Sequence, residues 1–239
     1  MAAFVNPQMT VDGLTLYLDA ANPRSYPGTG TTWFDISGQN NHASIFGSTT
    51  FDSVNKAIDF GASTNSTNYV SAPNAIIDDI PSWTMEFIVQ RDAANLLDPF
   101  ISCGGANGGL LCLFPAPRLA FFNSNQIIQS ADYPTTIGEP FHMIATGTGS
   151  TITSYKNNVQ IGTINQTAQI NVLSNVGVIF GQELDNNDTL GFSPTQAWLG
   201  KLFVIRIYNK ILSEEERTVN YIGMKDRFNF YKLCQDNFQ

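Results

Sequence analysis

The chain has 239 residues, of which 43% are hydrophobic and only 13% charged, and its formal net charge is −8. That is enough apolar material for one substantial core, and all-β sandwiches commonly reach such a length as a single domain. With no Lys/Arg cluster, phosphate-directed nucleic-acid binding has no electrostatic footing, and no apolar run reaches the length needed to span a bilayer.

Polar character is carried by Asn, Thr, Ser and Gln, which suits strands and turns. Residues 1–12, "MAAFVNPQMTVD", read as an N-terminal arm. They lack the basic start and apolar stretch of a signal peptide, so the expectation is a protein made in the cytosol. Residues 28–41, "GTGTTWFDISGQNN", set one tryptophan and one aspartate among turn-forming residues. "WTMEFIVQ" (83–90) alternates Trp83, Met85, Phe87 and Val89 with a mixed face holding Thr84, Glu86 and Ile88. "FISCGGANGGLLCLF" (100–114) predicts strand, glycine-rich turn and strand, and "RLAFFN" (118–123) a further strand. Residues 141–163 read as three short strands, the second turn being "KNNV", whose asparagines take the left-handed conformations of a tight hairpin. "VGVIFG" (176–181) and "WLGKLFVIRIYN" (198–209) close the series, the latter apolar on both faces near its middle.

One helix is predicted. Ser213 followed by Glu216 is a capping-box pattern, and Glu214 and Glu215 suit the positive end of the helix dipole. The helix is expected over 213–223, packing through Val219 and Tyr221 or Ile222. Residues 224–239 form an aromatic tail, with Phe228, Phe230, Tyr231, Leu233 and Phe238, that either folds back on its own domain or docks on a neighbouring subunit. The three cysteines argue against a disulfide scaffold. Cys103 and Cys112 flank "GGANGGLL" and are read as a cross-strand bridge or, in preference, as two buried thiols.

Catalytic constellations are not visible. The two histidines, His42 and His142, have no partners at ligand spacing, and His142 reads as a half-buried strand residue. There is no G-x-S-x-G elbow, P-loop or dinucleotide fingerprint. Glycoside hydrolysis needs two facing carboxylates, whereas Glu86 stands alone in its strand and Glu214–Glu216 begin a helix. The chain is read as a non-enzyme.

Five segments in order resemble the laminin-G-like, concanavalin A-like lectin/glucanase domains. They are "GLTLYLDAANPRSYPGTGTTWFDISGQNNHASIFG" (13–47), "AIDFGASTNSTNYVSAP" (57–73), "WTMEFIVQ" (83–90), "PFHMIATGTGSTITSYKNNVQIGT" (140–163) and "WLGKLFVIRIYNKILSEEERTVNY" (198–221). The resemblance implies an all-β, antiparallel two-sheet jelly-roll sandwich over 13–223 with one short C-terminal helix. The opening stretch further resembles virion proteins of tailed phages, implying a capsid decoration, head fibre or tail-fibre component. Its partners would be other virion proteins, a homo-oligomer and a cell-surface glycan, with no nucleic acid or membrane. Its location would be the virion, assembled in host cytoplasm, or alternatively an extracellular or cell-surface site. An attachment lectin is the second reading and a glycosidase the third. The family often carries calcium, for which Asp35, Asn40 and Asn41 offer oxygens, as do Glu183, Asp185 and Asp188. The family's closing strand commonly has an acid where this chain has Phe203, which weakens that inference, so no cofactor is required. Trp33 is either a sugar-stacking ring or an anchor beneath its own loop, with Asp35 holding backbone amides.

Overall fold

A computed structural model describes residues 9–62, 67–103, 110–113, 118–123, 126–132, 135–165, 170, 172, 177–184, 192–193 and 195–228. For 110–112, 118–123 and 126–132 it describes the backbone alone. In chain order the strands are β1 (Leu14–Asp19), β2 (Thr32–Trp33), β3 (Ala43–Phe46), β4 (Thr50–Asp52), β5 (Ala57–Asp59), β6 (Tyr69–Ala72), β7 (Trp83–Arg91) and β8 (Asp98–Ser102). There follow β9 (Leu110–Leu113), β10 (Arg118–Asn123), β11 (Gln126–Asp132), β12 (Pro140–Gly147), β13 (Thr151–Lys156), β14 (Val159–Asn165), β15 (Val178–Phe180) and β16 (Gly200–Tyr208). The helix α1 spans Glu214–Phe228.

These strands form two eight-stranded sheets. One runs β14-β13-β12-β7-β16-β5-β4, with β1 sharing the far edge of β16; the other runs β11-β10-β9-β8-β15-β6-β3-β2. Every strand pair between the named elements is antiparallel. The chain is therefore the all-β, two-sheet sandwich with a C-terminal helix that its period-2 pattern and its resemblance imply.

The inner faces meet in one core that includes Leu16, Leu18, Trp33, Phe87, Phe100, Phe180, Trp198 and Ile205. Phe100 lies 5.4 Å from Phe87 and 5.2 Å from Trp198, ring centre to ring centre. Burial of each such side chain contributes about 1.5–3 kcal/mol relative to exposure, so this core dominates stability. The "KNNV" turn forms as expected, with Asn157 at φ 48° and Asn158 at φ 65° between β13 and β14. Cys103 is a buried free thiol, and Cys112 pairs in the ladder with Pro99 rather than with Cys103. The two therefore do not face one another across the hairpin. Cys234 lies outside the described residues.

The mixed face of β7 does not meet solvent. Thr84, Glu86 and Ile88 are all 0% exposed, because α1 lies across that face. A bulge in β16 between Leu202 and Val204 turns both Phe203 and Val204 towards the helix, where they pack with Ala57, Ile88, Tyr221, Met224 and Phe228. The capping box closes reciprocally: Glu216 N donates to Ser213 Oγ at 3.2 Å, and Ser213 N donates to Glu216 Oε2 at 2.8 Å. The helix runs five residues beyond the 223 expected from sequence, to Phe228. Two tertiary contacts hold its last turn. Arg227 Nη1 lies 2.8 Å from Asp19 Oδ1, and Phe228 packs edge-on to Phe203 at 5.0 Å. Phe228 thus belongs to the helix and not to a tail, while residues 229–239 lie outside the description. The packing stripe passes through Arg217, Asn220, Tyr221, Met224 and Phe228, at helical spacing. Ile222 falls off it and is 38% exposed.

Candidate functional site

The opening loop resolves into a scaffold. Trp33 is 0% exposed in the main core and offers no ring face to a ligand. The Asp35 carboxylate takes four donors. Oδ1 accepts from Tyr17 N and Ser37 N, both at 2.9 Å, and Oδ2 accepts from Ser37 Oγ at 2.7 Å and Asn41 N at 2.9 Å. Asn41 Nδ2 donates to Thr15 O at 2.8 Å, and Asp35 N donates to His42 Nδ1 at 3.1 Å. Asn40 is exposed and sits at φ 60°, turning the chain. These bonds join β1, the loop and β3 into one corner. A carboxylate with its lone pairs so occupied has little left for a sugar hydroxyl or a cation that wants six to eight oxygens.

Of the acids grouped for calcium, Asp185 and Asp188 lie outside the described residues. Glu183 is half-buried, its backbone N donating to Gln196 O at 3.1 Å. Among the described residues, no group of three His, Cys, Asp or Glu side chains is placed to hold a metal ion.

Beneath α1 lies a sealed polar network. Glu86 Oε1 accepts from His142 Nε2 at 2.7 Å and from Arg206 Nη1 at 3.1 Å, and Oε2 accepts from Asn220 Nδ2 at 2.8 Å. All four residues are at most 1% exposed, so His142 is fully rather than half buried. Burial alone would raise the Glu86 pKa, but Arg206 and His142 outweigh it and hold the carboxyl at about 2. Burial, followed by the charge of Glu86, pushes the Tyr208 hydroxyl well up. Arg206 also lies over the Tyr17 ring at 4.7 Å. No substrate reaches these groups through the helix. They fasten α1 to the sheet.

An accessible polar groove of about 300 Å³ lies elsewhere, where the β3–β4 and β5–β6 turns meet. Ser48, Thr50, Asp59, Gly61 and Asn68 contribute to its lining. Thr50 stands directly across the ladder from Asp59. Asp59 Oδ1 accepts from Gly61 N at 2.7 Å, and Lys201 Nζ lies 3.6 Å from Oδ2. Asn68 straps the walls together: its Oδ1 accepts from Ser48 N at 2.7 Å and its Nδ2 donates to Phe60 O at 2.9 Å. Gly47 is required at the strap. It sits at φ +80°, and a Cβ there would come within 2.3 Å of Asn68 Oδ1 and of Thr67 O. Two residues before Ser48, the 40% exposed Phe46 stacks on the buried Tyr69 at 4.5 Å with 9° between the rings. A wider hollow of about 680 Å³ borders the start of α1, lined by Ser213, Glu214, Glu215, Thr218 and Val219. Among the described residues, its lining belongs to one helix and its cap.

Sequence reasoning did not single out the groove residues. Its trace is the pair of turns "IFGS" (45–48) and "DFGA" (59–62), each a strand end followed by a positive-φ glycine.

Neither the protein-family models nor the curated proteins give a match to the chain. Solved structures do resemble it. Domain 4 of AbnA, a GH43 extracellular arabinanase from Geobacillus stearothermophilus, in complex with arabinotriose, superposes with a TM-score of 0.63 at 14% identity, over 88% of this chain and 98% of that one. The binding domain of botulinum neurotoxin serotype C1 gives 0.63 at 17% identity, over 88% and 52%. That of neurotoxin DC in complex with SialylT gives 0.61 at 16%, over 88% and 51%. The chain spans about half the length of these neurotoxin domains. At such identities the shared property is the fold, a two-sheet β-sandwich.

Proposed function

We propose that this chain is a non-enzymatic glycan-binding module that serves attachment, carried as a decoration or fibre component of a virion. The observation that carries the glycan reading is the groove at Asp59, where a carboxylate on β5, the Thr50 hydroxyl on β4 and the Ser48 hydroxyl of the β3–β4 turn converge, with the exposed ring of Phe46 two residues before Ser48. Sugar sites combine such polar groups with aromatic faces. Fold neighbours in complex with arabinotriose and with SialylT support the same reading. The virion setting rests on the resemblance of the opening sequence to tailed-phage structural proteins. The non-catalytic reading rests on the state of the carboxylates: Glu86 is sealed, Asp35 is saturated, and Asp59 and Asp92 share Lys201.

A glycan array probed with the full chain, with and without calcium, tests the function. Retention of a defined glycan class in both conditions is the expected result. A blank array in both conditions would leave only a structural role, which the protein's position on purified particles would then test.

A further inference from the structure

We propose that the groove takes an uncharged oligosaccharide and discriminates against sialylated and other anionic glycans. This rests on the glycan-binding reading and adds to it the charge class of the ligand.

Asp59 is the one charged residue among the groove's described lining. The nearest cation is already committed. Lys201 Nζ sits 2.6 Å from Asp92 Oδ2 and 3.6 Å from Asp59 Oδ2, with only 12% of its side chain exposed. Asp52 adds a third negative charge in its field. Asp59 and Asp92 against the one ammonium of Lys201 leave this corner acidic, while Asp52 stands two rungs away at the same turn as Lys56. Lys56 lies at the far end of the β4–β5 hairpin, over the Phe51 ring at 5.8 Å, beyond the Thr50–Asp59 rung.

The chemistry of the lining matches this charge pattern. A carboxylate is an acceptor only, whereas hydroxyls donate and accept. Asp59 can therefore accept hydrogen bonds from adjacent sugar hydroxyls, with Ser48 and Thr50 completing the ring of contacts. Among the described residues, neither of those two side-chain hydroxyls forms a hydrogen bond within the protein. A sialic acid carboxylate entering the same space would meet Asp59 as a like charge, with no arginine or free lysine in the described lining to neutralise it. Anion recognition depends on such donors. Asn68 and the Gly47 turn hold the described walls to one another.

The test is an array of matched neutral and sialyl-capped oligosaccharides, including lactose with 3′-sialyllactose and also arabinotriose. Titration calorimetry follows on the retained glycans. Neutral members are expected to bind at least tenfold tighter than their capped counterparts. Asp59→Asn should weaken neutral binding about tenfold with an unchanged circular dichroism spectrum, since Lys201 keeps Asp92. Thr50→Lys should abolish the preference for neutral glycans by placing an ammonium across from Asp59. Capped glycans bound as well as neutral ones would overturn the charge assignment and leave the glycan reading intact. Neutral binding untouched by both substitutions would overturn the location. An array retaining nothing removes the glycan reading and this inference with it.

Discussion

Replacing Glu86 by alanine removes the one carboxylate at the centre of the network under α1. Three hydrogen bonds go with it, from His142 at 2.7 Å, Asn220 at 2.8 Å and Arg206 at 3.1 Å. The larger loss is electrostatic. Arg206 is 0% exposed and keeps its charge, with the Tyr17 hydroxyl at 3.5 Å as a weak remaining acceptor. Breaking a buried pair from one side costs about 3–5 kcal/mol, because the other charge is left uncompensated. For a domain of roughly 150–250 residues each kcal/mol moves Tm by about 2–4 °C, so a fall of roughly 6–20 °C is expected. The companion substitution Arg206→Met should cost a similar amount alone. Glu86→Ala with Arg206→Met removes both charges and should cost well below the sum of the two single substitutions, giving a coupling of about 2 kcal/mol or more. Guanidinium unfolding followed by tryptophan fluorescence, with calorimetry in parallel, measures all four corners. A loss below about 1 kcal/mol for Glu86→Ala, or additive single substitutions, would refute the reasoning.

Three further outcomes follow from the same structure. The Glu86 carboxyl is held at about 2 against an ordinary 4.5, so its stabilisation is present above pH 4.5 and is lost as pH falls towards 2. Acid titration of unfolding free energy should show this loss, about 3 kcal/mol in full, and Glu86→Gln should flatten it. Asp35→Ala leaves the Tyr17, Ser37 and Asn41 amides without their acceptor, at a cost of about 1–3 kcal/mol for each amide that water does not reach; hydrogen exchange should quicken at these amides first. Chelation with EDTA should leave Tm and glycan retention unchanged, because the Asp35 oxygens are spent on the chain itself; a fall in Tm restored by calcium would contradict this.

The sandwich is legible in the sequence because its signals are local. The alternation in "WTMEFIVQ", the apolar run of β16 and the asparagine pair between β13 and β14 each report on their own few residues. What escaped was made by distant partners. Glu86 reads as a lone acid on a mixed face until Arg206 is brought beside it from 120 positions away and α1 closes over both. The helix outruns its expected end because Asp19 and Phe203, neither of them helical, hold its last turn. Trp33 and Asp35 stand out in the sequence for their types, yet those types serve burial and loop bonding equally well. The groove has no motif at all, since two turns separated in sequence compose it. Of the expected calcium acids, Asp185 and Asp188 fall outside the described residues.

Asn220 is the only buried residue of α1, and it is polar. Its Oδ1 accepts from Thr10 N at 3.0 Å, while its Nδ2 reaches Glu86 at 2.8 Å and the Tyr208 hydroxyl at 2.9 Å. The apolar contacts around it would tolerate sliding, since Tyr221, Met224 and Phe228 could find other greasy surface one turn along. A shift of one helical turn, about 5.4 Å, would instead carry Asn220 off its three partners and leave Glu86, Tyr208 and Thr10 short of theirs. Asn220 thus works as a dowel pin. It fixes where along the sheet the helix sits, and through its bond to Thr10 it ties the chain just before β1 to that helix.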